Sequence, residues 1–174
     1  KEIKTNDIGY CVMPHDHQHV LASYHKAGEK EVQLAIDGLL DTWKVWSYTP
    51  LKKRIEIFQN MAQLLKTSHR DTINAATMLG QSKNVFQAEI DSACELIDFW
   101  RFNPEYCRQI YEDLQPPVSP SSMWNSSEVR PLEGFVFSVT PFNFSSIAAN
   151  LPSSAAIMGN TGVWKPSRNS YVSN

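Results

Sequence analysis

Asn143 is a residue whose type and position could support catalysis. It follows the apolar residues 134–139 after the tripeptide Thr-Pro-Phe. A side-chain amide held there could donate a hydrogen bond to a developing alkoxide, a contact whose loss slows a reaction about a hundredfold or more. The other interpretation is that Asn143 caps the following helix, as asparagine often does. The two roles are compatible, and the residues alone leave both open.

Lys165 ends a second short apolar run, residues 161–165, and Pro166 fixes the chain after it. Its ammonium group could bind a ligand in the same crevice as Asn143. A lysine at the end of a strand is more often only solvated, so this residue type does not by itself establish a binding site.

The elements that must position both side chains are a strand, a helix and a strand. Residues 134–139 and 161–165 have strand character, and the small residues 147–158 form a helix that Gly159-Asn160 ends. Such a unit is one right-handed crossover of a parallel sheet, with its ligand at the carboxyl ends of the strands. Thr-Pro-Phe-Asn replaces the usual Gly-x-Gly-x-x-Gly after the first strand. The sequence therefore predicts an α/β fold without the ordinary dinucleotide fingerprint.

A helical region precedes this crossover. Apolar residues recur at helical spacing in four stretches, which are residues 31–46, 49–65, 70–79 and 82–103. The first predicts a core-facing helix packed beside the second, which opens with Thr49 as N-cap and Pro50 in its first turn. Gly80 is predicted to end the third helix in a left-handed conformation, and Pro104 to weaken the fourth.

Three carboxylates lie near apolar positions of the fourth helix, namely Glu89, Glu95 and Asp98. Glu95 adjoins the semi-apolar side, where it could be a substrate-side group. The alternative is that Glu89 and Asp98 are solvated and that Glu95 is exposed or bonded to a polar partner in the core.

The histidines and cysteines suggest no metal or disulfide chemistry. His15, His17 and His19 alternate, as on one face of a strand, but they lack the usual Cys or carboxylate partners, and a solvent-facing strand explains them as well. We therefore predict no metal site. Cys11, Cys94 and Cys107 are widely spaced and odd in number, which favours free thiols buried as small apolar residues in a reducing compartment.

Composition excludes several classes of protein. The 174 residues are 42% hydrophobic with a net charge of −2, and no basic stripe suggests nucleic acid binding. The longest apolar stretch, residues 147–158, is too short to span a bilayer. The start, Lys-Glu-Ile-Lys, lacks a targeting pattern, so we expect a targeting peptide to be removed or never present.

Four segments follow from these patterns. We predict N-terminal strands or an extended arm at 1–28, a helical region at 29–113, a Pro/Ser-rich loop or edge segment at 114–132, and the strand-helix-strand unit at 133–174.

Two linked motifs resemble a known family. Pro141-Phe142-Asn143-Phe144, followed by Gly159-Asn160-Thr161 and Trp164-Lys165-Pro166-Ser167, is similar to the signatures that begin the cofactor domain of the aldehyde dehydrogenase superfamily. Residues 87–91, 95–99, 101–103 and 132–135 resemble the branch that oxidises glutamate semialdehyde, the open form of 1-pyrroline-5-carboxylate. The resemblance implies an N-terminal helical region and the first strand-helix-strand crossover of an incomplete Rossmann-like sheet, so that residues 133–174 would be the start of a truncated NAD-binding domain.

The resemblance also implies roles for individual residues. The oxyanion-hole asparagine falls on Asn143, and a glutamate lining the aldehyde site falls on Glu95. The NAD contacts fall on Thr140 through its backbone, on Pro141 and Phe142 at the nicotinamide side, and on Lys165 and Ser167 at the adenosine ribose.

Other parts of the family's machinery would lie later in the chain. The family's pyrophosphate turn, general-base glutamate and nucleophilic cysteine all follow the Lys-Pro-Ser motif, and Cys94 and Cys107 precede it. In the complete enzyme a cysteine thiolate would attack the aldehyde, hydride would pass to NAD, and water would release L-glutamate. We expect these residues alone to have no turnover.

Two further hypotheses stay open. The chain could be a non-catalytic truncated module that at most binds nucleotide or other subunits, or it could belong to a dehydrogenase for another aldehyde. The resemblance also implies a homo-oligomer as the full-length protein, and the mitochondrial matrix if the source is eukaryotic, otherwise the cytoplasm.

Overall fold

The N-terminal part of the chain forms a β-hairpin. The computed structural model describes residues 2–174, in which β1 (Ile8–Met13) pairs antiparallel with β2 (Asp16–His25). Tyr24 lies directly over Gly9, where an added Cβ would come within 2.2 Å of the Tyr24 ring. The Tyr24 ring also packs on Tyr171 with their centroids 4.2 Å apart, so the hairpin is tied to the C-terminal segment.

The helical region contains five α-helices and one π-helical turn. The elements are α1 (Glu29–Trp46), α2 (Leu51–Thr67), α3 (Arg70–Gln81), α4 (Val85–Ala88), the π-turn (Glu89–Cys94) and α5 (Glu95–Asp113). Two clusters form the core between α2, α5 and the crossover helix. They consist of Phe58, Cys107 and Ile157, and of Leu65, Leu96 and Ile97.

The crossover predicted from the sequence is confirmed. Strand β3 (Phe135–Val139) and strand β4 (Thr161–Lys165) are parallel neighbours, joined by helix α6 (Ser145–Ile157). The register pairs Val139 with Lys165, so both strands end at the same edge. A 3₁₀ turn, Arg168–Ser170, follows. No helix or strand lies between α5 and β3, and the division into four segments stays a prediction.

The predicted packing of α1 beside α2 is wrong. Helix α2 packs along α5, whereas α1 contacts β3 and β4. Two indole N–H groups tie α1 to the residues beside these strands. Trp43 Nε1 donates to the Leu132 carbonyl, just before β3, at 2.7 Å, and Trp46 Nε1 donates to the Ala156 carbonyl, in α6, at 3.0 Å. No residue of α1 is fully buried among the described residues, and its predicted core-facing stripe is only partly covered. Ile36, Leu39, Trp43 and Trp46 are half-buried, whereas the other stripe residues are exposed.

Three predicted helix boundaries also differ. Pro50, not Thr49, is the N-cap of α2. Gly80 is buried inside α3, and Ser82 takes the left-handed conformation (φ 54°), with its hydroxyl bonded to His15 Nδ1 at 2.8 Å. Pro104 does not weaken the fourth helix, since α5 continues to Asp113. The buried ring of Pro104 and the buried Cys107 beyond it supply packing that offsets the lost backbone hydrogen bond.

Candidate active site

The candidate site surrounds the turn between β3 and α6. This turn carries Asn143 and leads into Ser145 and Ser146, the first residues of α6. Both serine side chains are buried, at 1% and 0% exposure, whereas Asn143 is exposed. The residues that end the turn are therefore buried, while the side-chain amide of Asn143 is exposed to solvent.

Helix α3 holds the base of the turn through Ser145. Gln81 Nε2 donates to Ser145 Oγ at 2.8 Å, and the Thr77 hydroxyl lies 3.1 Å from the same oxygen. Thr77 is fully buried. Buried hydroxyl pairs of this kind fix position because leaving either group unpaired would be costly.

Helix α5 holds the next residue of the turn. Ser146 Oγ donates to Glu95 Oε2 at 2.6 Å. Glu95 is thus bonded to a polar partner in the core, which was one of the alternatives to a substrate-side role. The remaining face of Glu95 lines a groove of about 350 Å³ whose walls are Asp98, Phe99, Phe102, Asn103 and Tyr106.

Asn143 does not cap α6. The N-cap residue is Phe144, and it makes no side-chain cap hydrogen bond. Among the hydrogen bonds of residues 2–174, none uses the Asn143 side-chain amide, although its backbone carbonyl accepts from Lys83 Nζ. The amide donors of Asn143 are therefore open to a ligand.

The edge where β3 and β4 end carries the residues expected at the cofactor. The Thr140 N–H donates to the Lys165 carbonyl at 3.3 Å, and Trp164 Nε1 donates to Thr140 Oγ1 at 2.9 Å. Because the Thr140 N–H is used in this way, the Thr140 carbonyl is the backbone group that can bind a ligand. Phe142 is 60% exposed and the Lys165 side chain is also exposed.

The other two predicted cofactor residues flank this edge. Pro141 is half-buried at the start of the turn, and Ser167 is half-buried after β4, where its hydroxyl accepts from the Asn169 N–H at 3.4 Å. A flat apolar ring, a cation and a hydroxyl thus lie along one strand edge. These three groups fit a dinucleotide, because an aromatic ring can contact its flat rings, a cation its phosphates, and a hydroxyl its riboses.

Glu89 is not simply solvated, contrary to one of the alternatives above. It forms an ion pair with Arg70 and accepts from Asn74, and its side chain is 32% exposed. The Arg70 guanidinium lowers the pKa of the Glu89 carboxyl. Asp98 is exposed, as expected.

The cysteines and histidines do not form a reactive centre in the described part of the chain. All three cysteines are free, and Cys11 and Cys107 are buried. Burial raises the pKa of the Cys94 thiol and that of the Cys107 thiol, which favours the unreactive neutral form. His17 and His19 are exposed on β2. Within residues 2–174, no group of three or more His, Cys, Asp or Glu could hold a metal ion.

The sequence reasoning missed Lys83, Asp91 and the role of the two serines. Lys83 Nζ lies 2.7 Å from Asp91 Oδ2 and contacts the turn at Asn143 and Phe144. The π-turn that carries Asp91 has no marker in the sequence. Only the Ser145-Ser146 pair at the start of an apolar helix could have indicated buried polar anchors.

None of the helices of residues 2–174 combines the length and apolar character needed to cross a membrane.

Known proteins resemble the chain over nearly all of its length. Residues 4–174 match the aldehyde dehydrogenase family. A probable delta-1-pyrroline-5-carboxylate dehydrogenase of Schizosaccharomyces pombe is 47% identical over 99% of this chain and 31% of its own. The mitochondrial delta-1-pyrroline-5-carboxylate dehydrogenase of Dictyostelium discoideum is 42% identical over 100% of this chain and 31% of its own.

A solved structure agrees with these relatives. The Delta-pyrroline-5-carboxylate dehydrogenase from Mycobacterium tuberculosis superposes with a TM-score of 0.96 at 44% identity, covering 99% of this chain and 32% of that one. The same protein has also been solved bound with NAD. The chain thus spans about a third of the length of the relatives that it matches. The match along residues 4–174 shows that this chain belongs to the aldehyde dehydrogenase family.

Proposed function

We propose that this chain is part of an NAD-dependent oxidoreductase that converts L-glutamate 5-semialdehyde, the open form of 1-pyrroline-5-carboxylate, to L-glutamate in proline catabolism. The observation that carries the proposal is the exposed amide of Asn143 on a turn whose base is buried and hydrogen-bonded to α3 and α5. The relatives named for this reaction, at 42–47% identity, support the choice of aldehyde.

Asn143 acts as the oxyanion stabiliser in this proposal. When a nucleophile adds to the aldehyde, the carbonyl oxygen becomes an alkoxide, and a preorganised amide N–H stabilises it in the transition state. The turn suits this task because the hydrogen bonds of Ser145 and Ser146 fix the backbone that follows Asn143. By resemblance to the family, the nucleophilic cysteine and the general-base glutamate lie outside these residues.

NAD, when bound, accepts the hydride. Phe142 would offer its exposed ring to the nicotinamide side, next to Pro141, and the Thr140 carbonyl would accept a hydrogen bond. Lys165 and Ser167 would bind the adenosine ribose. The pairing of Val139 with Lys165 supports this arrangement because it aligns the two strand ends.

Glu95 is the substrate-side group. L-Glutamate 5-semialdehyde carries an α-ammonium, and a carboxylate is the side chain that binds an ammonium most strongly. Ser146 holds one carboxylate oxygen of Glu95, and the groove beside it has the aromatic side chains Phe99, Phe102 and Tyr106 as its walls.

Three properties of the complete protein belong to the same proposal. It acts on a small-molecule aldehyde, assembles as a homo-oligomer, and resides in the mitochondrial matrix if the source is eukaryotic, otherwise in the cytoplasm. The Dictyostelium relative, which is named as mitochondrial, supports the location. No observation favours the two alternatives, a non-catalytic module or another aldehyde, over this reaction.

The test is the rate of NAD reduction by the complete enzyme with glutamate semialdehyde. Asn143→Ala should lower kcat about a hundredfold or more, because the oxyanion loses its side-chain donor. The KM for NAD should change little. Asn60→Ala, at an exposed position of α2, is the matched control and should keep the wild-type rate. An unchanged kcat for Asn143→Ala would reject the assigned role.

A further inference from the structure

Lys83 lies in the short connection between α3 and α4 and reaches the turn that carries Asn143. Its Nζ lies 2.7 Å from Asp91 Oδ2 and 4.1 Å from the centroid of the Phe144 ring. It also donates a hydrogen bond to the carbonyl oxygen of Asn143. One ammonium therefore contacts a carboxylate, an aromatic face and the backbone of the proposed oxyanion stabiliser.

This ion pair differs from other lysine pairs of the described residues in its burial. The Lys83 and Asp91 side chains are 13% and 20% exposed, whereas those of Lys44 and Asp41 are 69% and 78% exposed. Enclosing a charge costs free energy, and exposed pairs contribute little stability. The enclosed pair is thus a specific structural feature, located where α4 and the π-turn approach the start of α6.

We propose that Lys83 is a positioning residue that sets the direction of the Asn143 side chain, with Asp91 orienting its ammonium group. The inference rests on the function proposed above for Asn143. The carbonyl and the side chain of Asn143 branch from one backbone segment, so a fixed peptide plane restricts where the amide points. The cation-π contact with Phe144 fixes the adjoining residue. A displacement of about 1 Å at a reacting group can cost about a hundredfold in rate.

A double-mutant cycle on the complete enzyme tests this role. Lys83→Met should lower kcat about 10- to 100-fold and leave the KM for NAD within about twofold. In the Asn143→Ala background, Lys83→Met should lower kcat no further, because the group that it positions is gone. A purely structural lysine would lower kcat by the same factor in both backgrounds, and that result would overturn the proposal.

Conservative and matched variants complete the experiment. Lys83→Arg should restore most of the rate, since a guanidinium can also bond to Asp91 and to the carbonyl. Lys44→Met removes a lysine from an exposed Lys–Asp pair and should have the wild-type kcat. If Lys83→Met does not fold, as judged by NAD binding followed by tryptophan fluorescence, Asp91→Asn takes its place in the cycle with the same expectation.

The two proposals fail in different ways. A wild-type kcat for Asn143→Ala would reject the role of Asn143 and with it the positioning role. A slow Asn143→Ala enzyme with a wild-type rate for both Lys83→Met and Asp91→Asn would reject the positioning role alone.

Discussion

Gly159 connects α6 to β4 in a backbone conformation that other residues rarely adopt. Its φ is +89°, and an added Cβ would lie 2.0 Å from Arg54 Nη1 and 2.7 Å from Pro131 Cγ. Arg54 is 3% exposed and donates to the Tyr111 hydroxyl at 3.2 Å. Because Gly159 has no side chain, the buried Arg54 guanidinium can pack against the turn between α6 and β4.

Gly159→Ala should destabilise the protein by about 2–5 kcal/mol. Left-handed backbone costs a residue with a Cβ about 1–2 kcal/mol, and an extra methyl in a filled space costs about 1–3 kcal/mol. Urea unfolding followed by tryptophan fluorescence measures the change. A loss of only about 1–2 kcal/mol would be the backbone cost alone and would show that Arg54 moves away from the added methyl. A loss below about 0.5 kcal/mol would contradict both costs.

Gly38→Ala is the matched control for this substitution. Gly38 lies inside α1, and an added Cβ would meet nothing within 4 Å. Alanine is the better helix former, so this variant should gain about 0.5–1 kcal/mol. A loss of stability for Gly159→Ala and a gain for Gly38→Ala would show that the loss comes from backbone strain and crowding at residue 159. A general effect of replacing glycine by alanine would have the same sign at both positions.

At the residue scale, the sequence predicted the residues that stand in motifs but not the ones that hold them. Asn143 and Glu95 were predicted as site residues from their positions after a strand and on a semi-apolar helix face, and because they occupy family signatures; their roles stay predictions. Lys83 was not, because it is 60 residues from Asn143 in sequence, and a contact of that range has no local pattern. The serine that holds Glu95 is 51 residues away from it.

The π-turn is the element that directs the carboxylates of this region. A wider turn shifts the following side chains around the helix axis, and such turns occur often at functional sites. Here Glu89 faces Arg70 on α3, Asp91 faces Lys83, and Glu95, just after the turn, faces Ser146 on α6. In a regular helix Glu95 would lie at a different angle from Glu89 around the axis, so the π-turn sets the direction of Glu95 relative to the carboxylates before it.

The Glu89–Arg70 pair should make the anchoring of the π-turn depend on pH. Because Arg70 lowers the folded-state pKa of Glu89 below its usual 4.5, the pair stabilises the protein above that value. The contribution is lost as the pH falls through the folded pKa. Since both side chains are about one-third exposed, we expect at most about 1 kcal/mol.

Glu89→Gln tests this dependence. The variant should be less stable than the wild type at pH 7, and the difference should shrink below about pH 4.5, measured by urea unfolding. Glu133→Gln, in an exposed loop position, should show no such loss at pH 7. A difference for Glu89→Gln that stays constant down to acid pH would mean that packing, not charge, anchors the turn.

At the element scale, patterns of short range predicted which elements exist, but they misplaced three helix boundaries. The β3–α6–β4 crossover was predicted because its strands and helix are adjacent in sequence and each has its own apolar signature. The partner of α1 was not, because an apolar stripe indicates burial without saying against which element. The π-turn was missed because its residues have the composition of an ordinary helix.

The surface of the whole molecule carries many large apolar side chains that do not pack into its core. Leu34 and Val45 lie three helical turns apart on α1, opposite Trp43, and are 48% and 73% exposed. The sheet of β3 and β4 has only two strands, which is marginal for independent stability. Under the function proposed above, further parts of a protein about three times as long, like the relatives, would cover these surfaces.

The 174 residues prepared alone should therefore bind an apolar dye and self-associate. Val45→Lys and Leu34→Lys should reduce dye binding and light scattering at unchanged helix content by circular dichroism. Each variant places a charge on the exposed face of α1 that these two residues share. Gln63→Lys adds the same charge at an exposed polar site of α2 and should change neither. In the complete enzyme, Val45→Lys should lower stability if this surface is covered there. Equal dye binding by all three variants would place the association surface elsewhere, with the uncovered edges of the β3–β4 sheet as the next segment to test.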